Sequence, residues 1–269
     1  MRSLFLLLTP VAVLTAWPAD LNKPVVVSAA SPQVGVAPDS LATVYGPQLT
    51  TVTEAAGNPP WPTSLGDMPV VWVTDATSTA RMASLIFVSP GQMNIYIPAG
   101  TAPGPATVSF PFTGLPIGVG TAALRIVPVD IRKVAPGLFT AGGDGAGTGV
   151  VAATAVRVML PTWQQTPVPV FMCDKPASCT PIPIDVGIDA PVYLSLYGTG
   201  IRGASSPAAV KVTIGGRTLE PLYAGAQPTI PGLDQINVGL PLDLRGAGLV
   251  NVFVTVDGVD SNWGQIRIQ

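Results

Sequence analysis

Residues 192–203 read Val-Tyr-Leu-Ser-Leu-Tyr-Gly-Thr-Gly-Ile-Arg-Gly, so Gly198, Gly200 and Gly203 form a G-x-G-x-x-G string at the end of a strand-like run. In dinucleotide-binding proteins this spacing lets a helix N-terminus approach a pyrophosphate, so the chemistry requires a helix directly after the glycines. Here the continuation carries Pro207 and the pair Gly215-Gly216, and Val210, Val212 and Ile214 alternate with Lys211 and Thr213 at the period of a strand. Glu220 stands where a ribose-binding acid would, but without the helix it supports nothing. In the first half Tyr45-Gly46 ends a similar strand with no further glycines after it. A glycine that lets a strand bend or admit a close backbone explains both places, whereas phosphate binding explains one. The second glycine-rich run, 142–149 (GGDGAGTG), lacks a Walker lysine and reads as a loop.

Other chemistry is narrowed by what the chain lacks. It has no histidine, which closes the Ser-His-Asp and Cys-His nucleophile arrangements and every His-ligated zinc or iron site. There are two glutamates, Glu54 and Glu220, and the aspartates are scattered singly through turn-like segments, so the paired carboxylates of a glycoside hydrolase are not in view. Asp257, Asp260 and Asn262 in VDGVDSN offer oxygens of the kind calcium takes, yet Asp257-Gly258 is also a preferred hairpin turn, and the turn is the expected role. Gln92 with Asn94, and Gln235 with Asn237, each fall on one face of a strand; they form either a ligand-reading amide face or, as expected here, side-chain hydrogen bonds that close a loop or sheet edge. Trp61, Trp72, Trp163 and Trp263 are candidates for stacking on sugars, with core or edge packing as the plainer role. Cys173 and Cys179 have no further ligands nearby for a metal and lack redox C-x-x-C spacing; they are expected to form a disulfide. No cofactor is expected.

The elements that must hold these residues are strands. The 269-residue chain contains 29 glycines and 30 prolines, and no stretch sustains a helical apolar period free of both. Only 10% of residues are charged against 48% hydrophobic, which excludes charge-driven disorder, and a net charge of −2 without a basic run excludes nucleic acid as a partner. Arg2 followed by the apolar run Leu4–Ala16, broken by Pro10, predicts an export signal over 1–19 or, if uncleaved, an anchor. The mature chain shows no membrane-spanning stretch and is expected outside the cytoplasm, secreted or in the periplasm or envelope. So few titrating groups predict a stability that varies little between pH 7 and 4.

The chain also contains itself twice. SLATVYGPQL (40–49) matches YLSLYGTGI (193–201), MPVVWVTD (68–75) matches AAVKVTIGG (208–216), GQMNIYIP (91–98) matches DQINVGLP (234–241), and GPATVSFPFTG (104–114) matches GLVNVFVTVDG (248–258). ALRIV (123–127) answers QIRIQ (265–269). Two immunoglobulin-like antiparallel β-sandwiches follow, 22–130 and 137–269, the second enlarged by extra strands and the cysteine loop.

PTSLGDMPVVWV, FVSPGQMNIYIP, VAPGLFT, VYLSLYGTGIRG, YAGAQPTIPGLDQINVGLP and VTVDGVDSN together resemble the Solibacter-type C-terminal domain of exported acidobacterial proteins, from about Val25 to the end. The resemblance implies an immunoglobulin-like, IPT/TIG-like sandwich and supplies no catalytic residues. Compartment and architecture together predict a non-enzymatic structural or adhesive protein whose partner is an envelope protein or glycan. A carbohydrate-binding module is the first alternative and a hydrolase the second.

Overall fold

The structure, a computed structural model, describes residues 23–111, 124–143, 149–175, 177–187 and 190–269. The expected export signal and most of the 142–149 run lie outside them. Among the described residues there is no α-helix, only strands and two short 3-10 turns, at Pro207–Ala209 and Leu242–Leu244. The described residues divide into two compact units, one running to Ala135 and joined by Gln227–Leu233, the other of Pro136–Ala226 with Asp234–Gln269.

The first unit holds β1 (Val25–Ser28), β2 (Ser40–Tyr45), β3 (Glu54–Ala55), β4 (Trp72–Thr74), β5 (Ala80–Met82), β6 (Ser84–Val88), β7 (Gln92–Ile97), β8 (Gly104–Pro111) and β9 (Leu124–Ile131). They form two sheets of order β1-β2-β7-β6-β3 and β5-β4-β8-β9. Alternation decides which face goes inside. Along β7, Met93, Ile95 and Ile97 are fully buried while Gln92, Asn94 and Tyr96 are only half-buried, the period of two that a pleated strand imposes. Val44, Leu85, Met93 and Ile95 of one sheet share a core with Val73, Val108, Phe110 and Val129 of the other, so the sheets pack face to face as a sandwich.

The second unit holds β10 (Gly137–Leu138), β11 (Ala153–Met159), β12 (Gln164–Val168), β13 (Phe171–Lys175), β14 (Ser178–Pro181), β15 (Pro183–Ile184), β16 (Val192–Thr199), β17 (Val210–Ile214), β18 (Arg217–Leu219), β19 (Tyr223–Ala226), β20 (Asp234–Gly239), β21 (Gly248–Val256), β22 (Val259–Asp260) and β23 (Gly264–Ile268). Its main sheets run β12-β11-β16-β20-β19 and β15-β23-β21-β17-β18, with β10 added beside β16 and β22 beside β21. Leu194, Leu196, Ile236, Val238, Val252 and Val254 are buried on the inward positions.

The strand orders of the two units correspond. The run β1-β2-β7-β6 matches β11-β16-β20-β19, and β5-β4-β8-β9 matches β18-β17-β21-β23. Register agrees as well. Tyr45 faces Gln92 and Thr43 faces Asn94 across β2 and β7, as Tyr197 faces Gln235 and Ser195 faces Asn237 across β16 and β20. Turn chemistry follows the predicted pairs: Gly215-Gly216 and Asp257-Gly258 are two-residue hairpin loops with positive φ at both positions, the form that matches the twist of the flanking strands. Cys173 and Cys179 sit directly opposite in the small β13–β14 hairpin and are joined by a disulfide.

Candidate functional site

The glycine string is the first place to look for a ligand site, and its geometry is built around an internal anion. Strand β16 ends at Thr199, and Gly200 adopts φ +73°, turning the chain so that the amides of Ile201 and Arg202 face inward. Both donate to Oδ2 of Asp234, at 2.7 and 3.3 Å, and Nε of Arg202 donates to its Oδ1 at 2.6 Å. Asp234 is fully buried at the start of β20. Successive backbone amides with a guanidinium are the donor set that would cradle a phosphate. Here that cradle holds the chain's own carboxylate. After it comes a single 3-10 turn and then β17, in place of the helix a dinucleotide needs.

The glycines at the two Tyr-Gly positions serve close packing. A Cβ on Gly198 would lie 2.5 Å from the carbonyl oxygen of Gly137 in β10, and one on Gly46 would lie 2.9 Å from Cα of Pro24 just ahead of β1. In both units the residue after the tyrosine admits an incoming backbone that a side chain would block.

The amide pairs hydrogen-bond to each other along their strands. Gln92 Nε2 donates to Asn94 Oδ1 at 2.9 Å, and Gln235 Nε2 donates to Asn237 Oδ1 at 2.8 Å. Thr43 adds a hydroxyl to Asn94 Oδ1 at 3.1 Å. The Gln–Asn bonds run along single interior strands, on half-buried outer positions that occur in the same register in each unit, so they close neither a loop nor a sheet edge.

Asp257, Asp260 and Asn262 each have a different partner. Asp257 accepts from the backbone amide and hydroxyl of Ser205, and Asp260 Oδ1 accepts from Thr255 Oγ1 at 2.6 Å. Asn262 is buried, accepts from the Leu138 amide at 2.8 Å and donates to the Leu138 carbonyl at 2.9 Å. It thereby takes the place of a strand beside β10. Among the described residues no three His, Cys, Asp or Glu side chains gather as a metal site. An Asn262→Ala chain is expected to lose about 2 kcal/mol, because a buried amide and carbonyl are stranded together; urea unfolding checks this, and wild-type stability would contradict it.

Asp75 is a second carboxylate hub outside the candidate residues named above, although its DATST context carries the signal for a side chain that folds back on the next backbone amides. It is buried and accepts from Thr77 N and Oγ1, Thr79 N, Ala102 N and Arg81, the last at 2.6 Å. The Ala102 amide foremost, then the Thr77 hydroxyl, hold its carboxyl far below the usual carboxylate range. Asp234 goes the other way. Burial raises it, against the opposing pull of Arg202 and the two amides.

The signs for stability are opposite. A depressed acid such as Asp75 gives stability that is present above its unfolded pKa, about 3.9, and is lost as pH falls below it. A raised acid such as Asp234 holds its proton better when folded, so its contribution is largest below about 3.9 and declines as pH rises through the raised value. Melting temperature is therefore expected to vary by less than about 15 °C between pH 7 and 4 and to fall below that range as Asp75 takes its proton. A steep drop between pH 6 and 5 would contradict this.

The tryptophans scatter. Trp61 is buried with Nε1 donating to the Gly57 carbonyl at 3.1 Å, and Trp72 is half-buried in β4. Trp263 is 39% exposed and Trp163, in the β11–β12 loop, is 70% exposed. Comparison with protein-family models and with curated proteins returns no match.

Proposed function

We propose that this chain is an exported structural or adhesive protein, built of two tandem immunoglobulin-like sandwiches of the IPT/TIG-like kind, that acts by presenting loops as a binding surface at or outside the cell envelope. The observation that carries this reading is how the chain employs its reactive groups. The glycine nest closes on Asp234, Asp75 ties a turn to Ala102, and Asp257 and Asn262 fix the Ser205 and Leu138 backbones. Side chains that a catalyst would aim at substrate instead hold loops and strands in place. The shared strand order and the matching Tyr/Gln and Thr-or-Ser/Asn registers support a duplicated unit. A disulfide in a chain without a redox motif fits an oxidising compartment, and no helix among the described residues is long and apolar enough to cross a membrane.

The test is capture of native envelope fractions on the immobilised chain, with parallel fractions treated by protease or by glycosidases. Capture abolished by protease supports adhesion to protein. Capture abolished only by glycosidases transfers the assignment to carbohydrate binding, for which the exposed Trp163 and Trp263 are the stacking candidates. No capture from any fraction, together with turnover in a hydrolase substrate screen, overturns the proposal.

A further inference from the structure

The β11–β12 hairpin ends in Met159-Leu160-Pro161-Thr162-Trp163, and Met159, Leu160 and Trp163 are 40, 45 and 70% exposed. No aromatic side chain among the described residues is more exposed than Trp163. From Val158 through Cys173 the sequence has no charged residue. We propose that this tip is a lipid-contacting loop, which seats Leu160 and Trp163 in the interfacial layer of a bilayer of low surface charge. The proposal rests on the envelope location put forward above.

Three observations point to lipid. Trp163 has φ +58°, the left-handed region that bulky residues rarely adopt. Glycine or asparagine would relax that position, so the backbone bears strain to hold an indole outward, and strain of this kind collects where a side chain is wanted for contact. Next, the loop satisfies its own carbonyl: Met159 O accepts the Trp163 amide at 2.8 Å and the Thr162 hydroxyl at 3.3 Å. Internal pairing lowers the cost of carrying backbone into an apolar layer. Finally, the exposed neighbours Thr162, Gln164 and Gln165 are polar but uncharged, a collar suited to head groups, and tryptophan itself favours that depth.

A protein partner suits the tip less well. Three apolar side chains on a hairpin end offer far less than the roughly 800 Å² per partner of a stable interface. Of the polar groups beside the ring that a sugar would use, the Thr162 hydroxyl is turned back to Met159 and only the amides of Gln164 and Gln165 remain.

The experiment uses the full chain and phosphatidylcholine vesicles. Wild type is expected to pellet with vesicles at millimolar lipid, and Leu160→Ser/Trp163→Ser to partition about tenfold more weakly. In vesicles of brominated lipid the tryptophan emission should be quenched in wild type and much less so in Trp163→Phe, which keeps the apolar contact but removes the reporter. No pelleting of wild type overturns the proposal. So does equal binding by the double variant, which would assign any affinity to another part of the chain such as residues 4–16, and so does quenching unchanged in Trp163→Phe. Failure here leaves the protease and glycosidase arms of the capture experiment unaffected, so the two readings fail separately.

Discussion

A Gly198→Ala chain is expected to unfold about 3 kcal/mol more easily than wild type, read as a lower urea midpoint at unchanged slope. The added methyl would lie 2.5 Å from the Gly137 carbonyl oxygen and 3.0 Å from Ile201 Cδ1. The first contact decides the size of the effect. A side chain can rotate away, but Gly137 is backbone, and its strand is fixed on both sides: β10 pairs with β16, while Asn262 grips Leu138 from the other edge. Relief requires peeling β10 from the sheet. Gly198 does not have positive φ, so the loss would come from the clash and not from backbone conformation. Gly46→Ala should cost less, since its nearest neighbour, Pro24, lies just ahead of β1, a strand at the edge of its sheet. Gly57→Ala is the control: no atom lies within 4 Å of its Cβ position, and its effect should stay within about 0.5 kcal/mol. Equal stability of Gly198→Ala and Gly57→Ala would remove the packing account of the Tyr-Gly motif.

Asp234→Ala is expected to cost about 3–5 kcal/mol, the range for breaking a buried ion pair from one side. Its carboxylate is the shared acceptor for two amides and for Arg202, whose side chain is itself only 15% exposed. Removing it strips all three donors of that acceptor in a place water reaches poorly. Asp234→Asn keeps one oxygen for the amides and should fall about midway. Replacing Arg202 as well, in Asp234→Ala/Arg202→Met, should recover part of the loss, because a buried charge without its partner costs more than an apolar pair of similar volume. If the double variant is no more stable than Asp234→Ala, the loss comes from the amides alone and the ion pair contributes little.

The β class was legible in the valine alternation of β17 and β21 and in the glycine-marked hairpins, because a period of two and positive φ are local properties. The disulfide followed from spacing, since cysteines six apart can meet across a tight hairpin. The internal matches found Tyr-Gly and the Gln-Asn pairs at corresponding positions, and the strand registers place them at corresponding points of the two sheets. The amides were expected to close a loop or a sheet edge; instead each pair bonds within its own strand, in the interior of its sheet.

What stayed hidden is long-range. Nothing near Gly200 in sequence says that an aspartate 34 residues later fills the nest, nor that Asn262 pairs with Leu138 across 124 residues. The oxygens of VDGVDSN looked like a shared site because they are neighbours in sequence, and they separate because Asp257 lies in the hairpin turn, Asp260 on β22 and Asn262 beyond it, each with a different partner. Trp163 was one tryptophan among several until the fold placed it on a hairpin end with a left-handed backbone. Periodicity and turn preference act over a few residues, so sequence by itself determined the strands, the turns, the cysteine pair and the internal likeness. Which carboxylate fills which cradle depends on how sheets bring distant segments together, and only the tertiary structure decided that.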